Sequence, residues 1–75
     1  MTLFVIVGNR EESDEYNAKN KGKKGFYVII SPKALKDKII GPKDKILFYG
    51  SAMKRRDIGR IMKEIDKCKK RFGNH

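Results

Sequence analysis

The chain has 75 residues, with 19 Lys and Arg against 9 Asp and Glu, giving a formal net charge of +10. That length allows one small domain and excludes a two-domain enzyme, a full dinucleotide-binding domain or a barrel. With 39% hydrophobic and 37% charged residues, the chain is too apolar for a disordered tail and too polar for a membrane protein.

The first element is Leu3-Phe4-Val5-Ile6-Val7. A continuous, largely β-branched apolar run of this length predicts a strand covered on both faces, and Gly8-Asn9 ends it. Arg10–Lys24 offers only Tyr16 and Ala18 as apolar anchors, so a helix there buries little, and residues 9–25 are expected to form a long charged loop. Phe26–Ile30 is a second strand of the same kind as the first. Ser31-Pro32 has the form of an N-cap followed by proline at the first helical position. It predicts a helix over Pro32–Ile40 with Leu35, Ile39 and Ile40 inward, stopped by Gly41-Pro42. Lys45–Tyr49 is the third strand. Gly50-Ser51 then opens a long final helix with Ser51 as candidate cap. Its apolar face is Ile58, Ile61, Met62, Ile65, Cys68 and Phe72, at three- and four-residue spacing, and Gly73 ends it.

These elements predict an α/β (or α+β) fold, one domain over residues 1–75. It has a three-stranded sheet in β-β-α-β-α order and a long amphipathic C-terminal helix. The second and third strands should form a right-handed parallel crossover, with the first strand antiparallel to the second. An alternative sets the first strand parallel to the others. Gly8-Asn9, Ser31 and Gly50-Ser51 then meet at the carboxyl ends of the strands, and two helix N-termini face one phosphate-binding crevice. That arrangement requires a crossover helix within residues 10–24. Two helices leave part of a two-sided sheet uncovered, a shortage that a homodimer would resolve.

Charge is unevenly spread. Residues 1–18 carry a net −3, residues 19–45 a net +7 and residues 51–75 a net +6. On the final helix, Arg56, Arg60, Lys63, Lys67 and Lys70 fall within a sector of roughly 80° opposite the apolar face, along about 20 Å of axis. Such a ridge neutralises phosphates and releases counterions. Lys21, Lys23 and Lys24 stand in the segment Lys19–Gly25, where glycines allow close backbone approach and lysines supply point charge. The P-loop pattern is absent and no cofactor is expected.

Lys24-Gly25-Phe26-Tyr27-Val28 resembles part of the RNP1 signature of RNA-recognition motifs. The small residue of that signature is missing, its last aromatic is Ile30, and residues 9–25 leave no room for the intervening helix and strand. The chain is therefore not assigned to that family. Phe4, Tyr27 and Tyr49 are the aromatics available for stacking on a base, although core packing is the simpler role for each.

Glu11, Glu12, Asp14 and Glu15 follow the first strand, a position from which carboxylates hold Mg²⁺ in small nucleases. The supporting residues are poor: Asp37 and Asp44 are partners only by default, and the one histidine, His75, is the last residue. Catalysis is not the expected activity. The lone cysteine, Cys68, excludes an internal disulfide and a CxxC metal site, and reads as a small core residue. No apolar run approaches the ~20 residues that span a bilayer, and Met1–Val7 lacks the basic start and cleavage site of a signal peptide. The expectation is a soluble, cytoplasmic, weakly sequence-specific nucleic-acid-binding protein that contacts phosphates. The rival is a protein-interaction module that docks on an acidic partner or dimerises through its sheet.

Overall fold

A computed structural model describes residues 2–73; His75 lies outside the described residues. The elements are β1 (Leu3–Val7), α1 (Arg10–Lys19), β2 (Phe26–Ile29), a 3-10 turn (Pro32–Leu35), β3 (Lys45–Tyr49), a second 3-10 turn (Ala52–Lys54) and α2 (Ile58–Gly73). The three strands form one sheet in the order β2-β1-β3, and both pairings are parallel. In register, Val5 sits between Val28 and Leu47. The mixed α/β class, the three strands and the C-terminal helix are as the sequence predicts.

Two expectations are corrected. Residues 9–25 are not one long loop, because α1 occupies Arg10–Lys19, and β1 is parallel rather than antiparallel to β2. The physical reason is that α1 is held by its ends more than by an apolar face. The Asn9 side chain accepts the Glu12 N–H at 2.9 Å, Glu11 and Glu12 stand in the first turn, and Lys19 stands in the last. Only Ser13 and Tyr16 are buried along the helix. The segment Pro32–Ile40 also departs from expectation, forming a single 3-10 turn over Pro32–Leu35 and no α-helix. Leu35 and Ile40 are buried as expected, but Ile39 is 41% exposed, since an irregular segment does not keep helical periodicity.

The sheet buries side chains on both faces. On one, Phe4, Ile6 and Ile29 pack with Leu35, Ile40, Ala52, Ile61, Ile65 and Cys68. On the other, Val5 and Val7 pack with Tyr16 of α1, flanked by Leu3, Phe26, Val28 and Tyr49. The face for which a second copy was expected is thus covered by α1 of the same chain. Tyr16 meets Phe26 and Tyr49 edge-on, with ring centroids 5.3 and 5.2 Å away. Ile61, Ile65 and Cys68 form the buried stripe of α2, while Met62 and Phe72, expected inside, are 40% and 50% exposed at its margins. The buried stripe is therefore narrower than the apolar pattern.

Side chains also fasten the connections. Arg71 donates to the Leu35 and Lys38 carbonyls at 3.2 and 2.9 Å, tying the segment after β2 to α2. The Cys68 thiol donates to the Leu35 carbonyl at 3.1 Å, and burial raises its pKa. Asp44 accepts the Thr2 and Gly41 N–H groups, both at 2.8 Å, which closes the turn before β3. The Gly41 bond leads in holding its carboxyl below the usual range.

Candidate nucleic-acid interface

The parallel sheet brings Gly8-Asn9, Ser31 and Gly50-Ser51 to one edge, at the carboxyl ends of the strands. In an open parallel sheet that edge is the ordinary place for a ligand, above all where connections leave neighbouring strands for opposite faces. Here β1 and β3 are such a pair, and the chain's own carboxylate fills the gap between their ends. Glu12 accepts the Gly8 N–H at 2.6 Å, the Ser51 N–H at 2.9 Å and the Ser51 hydroxyl at 3.0 Å. The Ser51 backbone bond is the leading cause of its lowered pKa. Ser51 therefore does not cap α2, which begins at Ile58. A Cβ at Gly8 or at Gly50 would run into Ser51 or Glu12, so the close approach requires glycine at both places. Between β1 and β2, the Arg55 guanidinium donates to the carbonyls of Val7, at 2.8 Å, and Ile30. Asp57 holds that guanidinium at 2.7 and 3.0 Å. Both crevices at this edge are thus occupied by side chains of the fold.

The remaining acids are engaged or solvated. Glu15 accepts from the Tyr49 hydroxyl and from Lys19 at 3.2 Å, and the Tyr49 bond leads in lowering its pKa. Glu11 and Asp14 are exposed. Among the described residues, no group of three or more His, Cys, Asp or Glu side chains is placed to hold a metal ion.

An open groove of about 590 Å³ lies between the Pro32–Leu35 turn and α2. Its walls are Ser31, Pro32, Lys33 and Lys36 on one side and Arg60, Lys63, Glu64 and Lys67 of α2 on the other. Arg60, Lys63 and Lys67 follow helical spacing and share a side of α2. Lys33 and Lys36 are three apart, the spacing at which 3-10 geometry stacks side chains. Five basic residues stand with one acid, Glu64, which pairs with Lys67 at 3.3 Å. Comparison with protein-family models, with curated proteins and with solved structures returned no match for the chain.

The predicted basic residues therefore divide. Arg60, Lys63 and Lys67 enter the groove. Arg56, expected on the final helix, lies in the turn before α2 because the Ala52–Lys54 3-10 turn and Arg55 delay the helix start to Ile58. It and Lys70 are exposed outside the groove, and Lys70 pairs with Asp66 at 3.1 Å. Lys21, Lys23 and Lys24 are exposed beyond α1, in a loop whose Gly22 and Gly25 have positive φ. Lys23 and Lys24 line a separate hollow with Leu3, Tyr16 and Phe26, on the α1 side of the sheet. Gly25 and Ser31 bracket β2, so the two basic clusters lie about 20 Å apart along the strand direction. Lys33 and Lys36 are the groove residues that sequence reasoning missed. Their signal in the sequence is the Lys-x-x-Lys spacing just after Pro32, which does not reveal that the segment packs against α2.

Among the described residues, no helix is long and apolar enough to cross a membrane.

Proposed function

We propose that this protein binds nucleic acid through its phosphates, in the cytoplasm and with little sequence preference, using the groove between the Pro32–Leu35 turn and α2 as the principal site. The observation that carries the reading is the convergence of Lys33 and Lys36 with Arg60, Lys63 and Lys67 across one open groove. Like charges on separate elements repel when brought together, and an anion removes that cost. Arg60 supplies a fork of donors suited to a phosphate, and the lysines supply point charge. Lys70 extends the basic surface along α2, and Arg56 adds to it from the turn just before the helix. Lys21, Lys23 and Lys24 form a second contact for ligands long enough to reach the other end of β2. Backbone contacts of this kind position a ligand without reading its bases.

The test is anisotropy of labelled DNA and RNA oligonucleotides, single- and double-stranded, at several salt concentrations. The reading predicts a log–log salt slope of about −3 to −4, as expected for roughly four neutralised phosphates. Absence of binding at low salt overturns it and leaves the rival, docking on an acidic protein partner, as the use of the groove.

A further inference from the structure

We infer that the preferred nucleic acid is single-stranded, and that Tyr27 stacks on one of its bases while the groove holds the neighbouring phosphates. The inference rests on the phosphate-binding reading above and adds the class of ligand.

Of the three aromatics available from sequence, two are already committed. Phe4 is 2% exposed. Tyr49 packs on Tyr16 and bonds Glu15 through its hydroxyl. Tyr27 is 50% exposed on β2, an outer strand of the sheet. Phe4 supports its ring from within, with centroids 5.8 Å apart and planes inclined by 27°. The ring is thus an exposed platform with a rigid backing. Phe72 is equally exposed, but it stands beside Gly41 and Pro42, outside the basic groove.

Tyr27 is linked to the groove through a short, fixed segment. Lys38 Nζ lies 4.4 Å from the Tyr27 ring centroid. Lys36, two residues earlier, lines the groove. Arg71 holds the carbonyls of Leu35 and Lys38, so the segment that joins platform and groove is tied to α2. A base stacked across an aromatic ring is a stronger interaction than the single half-buried lysine ammonium over it. The base therefore displaces the Lys38 ammonium, which becomes available to an adjacent phosphate. Bases within a duplex are already stacked and paired and do not offer a face to Tyr27. Charge alone would favour the duplex, with its denser phosphates, so strand preference separates stacking from charge.

The test compares a labelled single strand with the duplex of the same sequence, using the full chain and the variants Tyr27→Leu and Tyr27→Phe. Leucine keeps an apolar contact with Phe4 but offers no ring. The expected result is tighter binding of the single strand, a loss of about tenfold in Tyr27→Leu, and near-native affinity in Tyr27→Phe. Duplex binding should be equal in all three. Should Tyr27→Leu fail to fold, tyrosine fluorescence gives a second readout. An oligothymidylate should quench the native protein, and the quenching should be lost in Tyr27→Phe. Equal affinity of Tyr27→Leu for the single strand, a preference for duplex, or unchanged quenching in Tyr27→Phe overturns the stacking inference and leaves phosphate binding standing. Absence of binding to either form overturns both.

Discussion

Glu12 and Ser51, 39 positions apart, are joined through both oxygens of one carboxylate. The Ser51 N–H lies 3.1 Å from Oε1 and 2.9 Å from Oε2, and the Ser51 hydroxyl lies 3.0 Å from Oε2. The same Oε1 accepts the Gly8 N–H. One acid thus satisfies main-chain donors at the ends of β1 and β3, at the position where a parallel sheet ordinarily receives an anion. The carboxylate thereby fills the space between the ends of β1 and β3.

A pH dependence follows from this contact. The hydrogen bonds to Glu12, led by that from the Ser51 backbone, hold its folded pKa below the ordinary value of 4.5. Protonation therefore costs the folded state more than the unfolded chain. The stability contributed by Glu12 is complete above its unfolded pKa and is lost as pH falls through the lower folded value. Thermal unfolding followed between pH 7 and pH 2 should show a steeper acid loss for the native protein than for Glu12→Gln. At pH 7, Glu12→Gln should melt at the lower temperature.

Gly50 supports the same junction from the backbone. Its φ is +61°, and a Cβ there would collide with the Glu12 carboxylate. Gly50→Ala should destabilise the fold by at least the ~1–2 kcal/mol of a left-handed alanine, with a further loss from the displaced carboxylate. Denaturant unfolding measures it.

Arg55 has a structural task that its position in a basic region conceals. Its side chain is 14% exposed and bridges the ends of β1 and β2 while held by Asp57. Arg55→Lys keeps the charge but loses the planar fork. A stability loss of about 1.5–3 kcal/mol is expected, with nucleic-acid affinity little changed in the folded fraction. Parallel denaturant and binding titrations distinguish this from a ligand-contacting arginine.

The strands were legible in sequence because continuous apolar runs mark them, and α2 because its buried positions recur at helical spacing. The direction of β1 was not legible, since it depends on α1, and α1 lacks an apolar stripe. A signal was nevertheless present. Asn9-Arg10-Glu11-Glu12 has the Asn-x-x-Glu spacing of a helix start, and Glu15 and Lys19 pair four residues apart. Reading that segment by hydrophobic periodicity alone concealed it. For the site, three of the five groove bases were legible as a helical ridge. Lys33 and Lys36 were not, because their meeting with α2 is made by tertiary packing through Leu35 and Arg71.

The division of basic residues predicts distinct behaviour under charge reversal. Arg60→Glu with Lys63→Glu should weaken binding of every oligonucleotide and reduce the magnitude of the salt slope by about 1.5. Reversing Lys21, Lys23 and Lys24 should leave a short oligonucleotide unaffected and weaken only ligands that also reach the far end of β2. Anisotropy with a length series of oligonucleotides reads both effects.

The most direct test of the groove as the binding site is amide chemical-shift mapping with a short oligonucleotide. The largest changes should fall in Ser31–Lys36 and Arg60–Lys67, on the two walls that face each other. Changes confined to Lys21–Lys24, or to the strand ends at Gly8 and Gly50, would contradict the assignment of the groove.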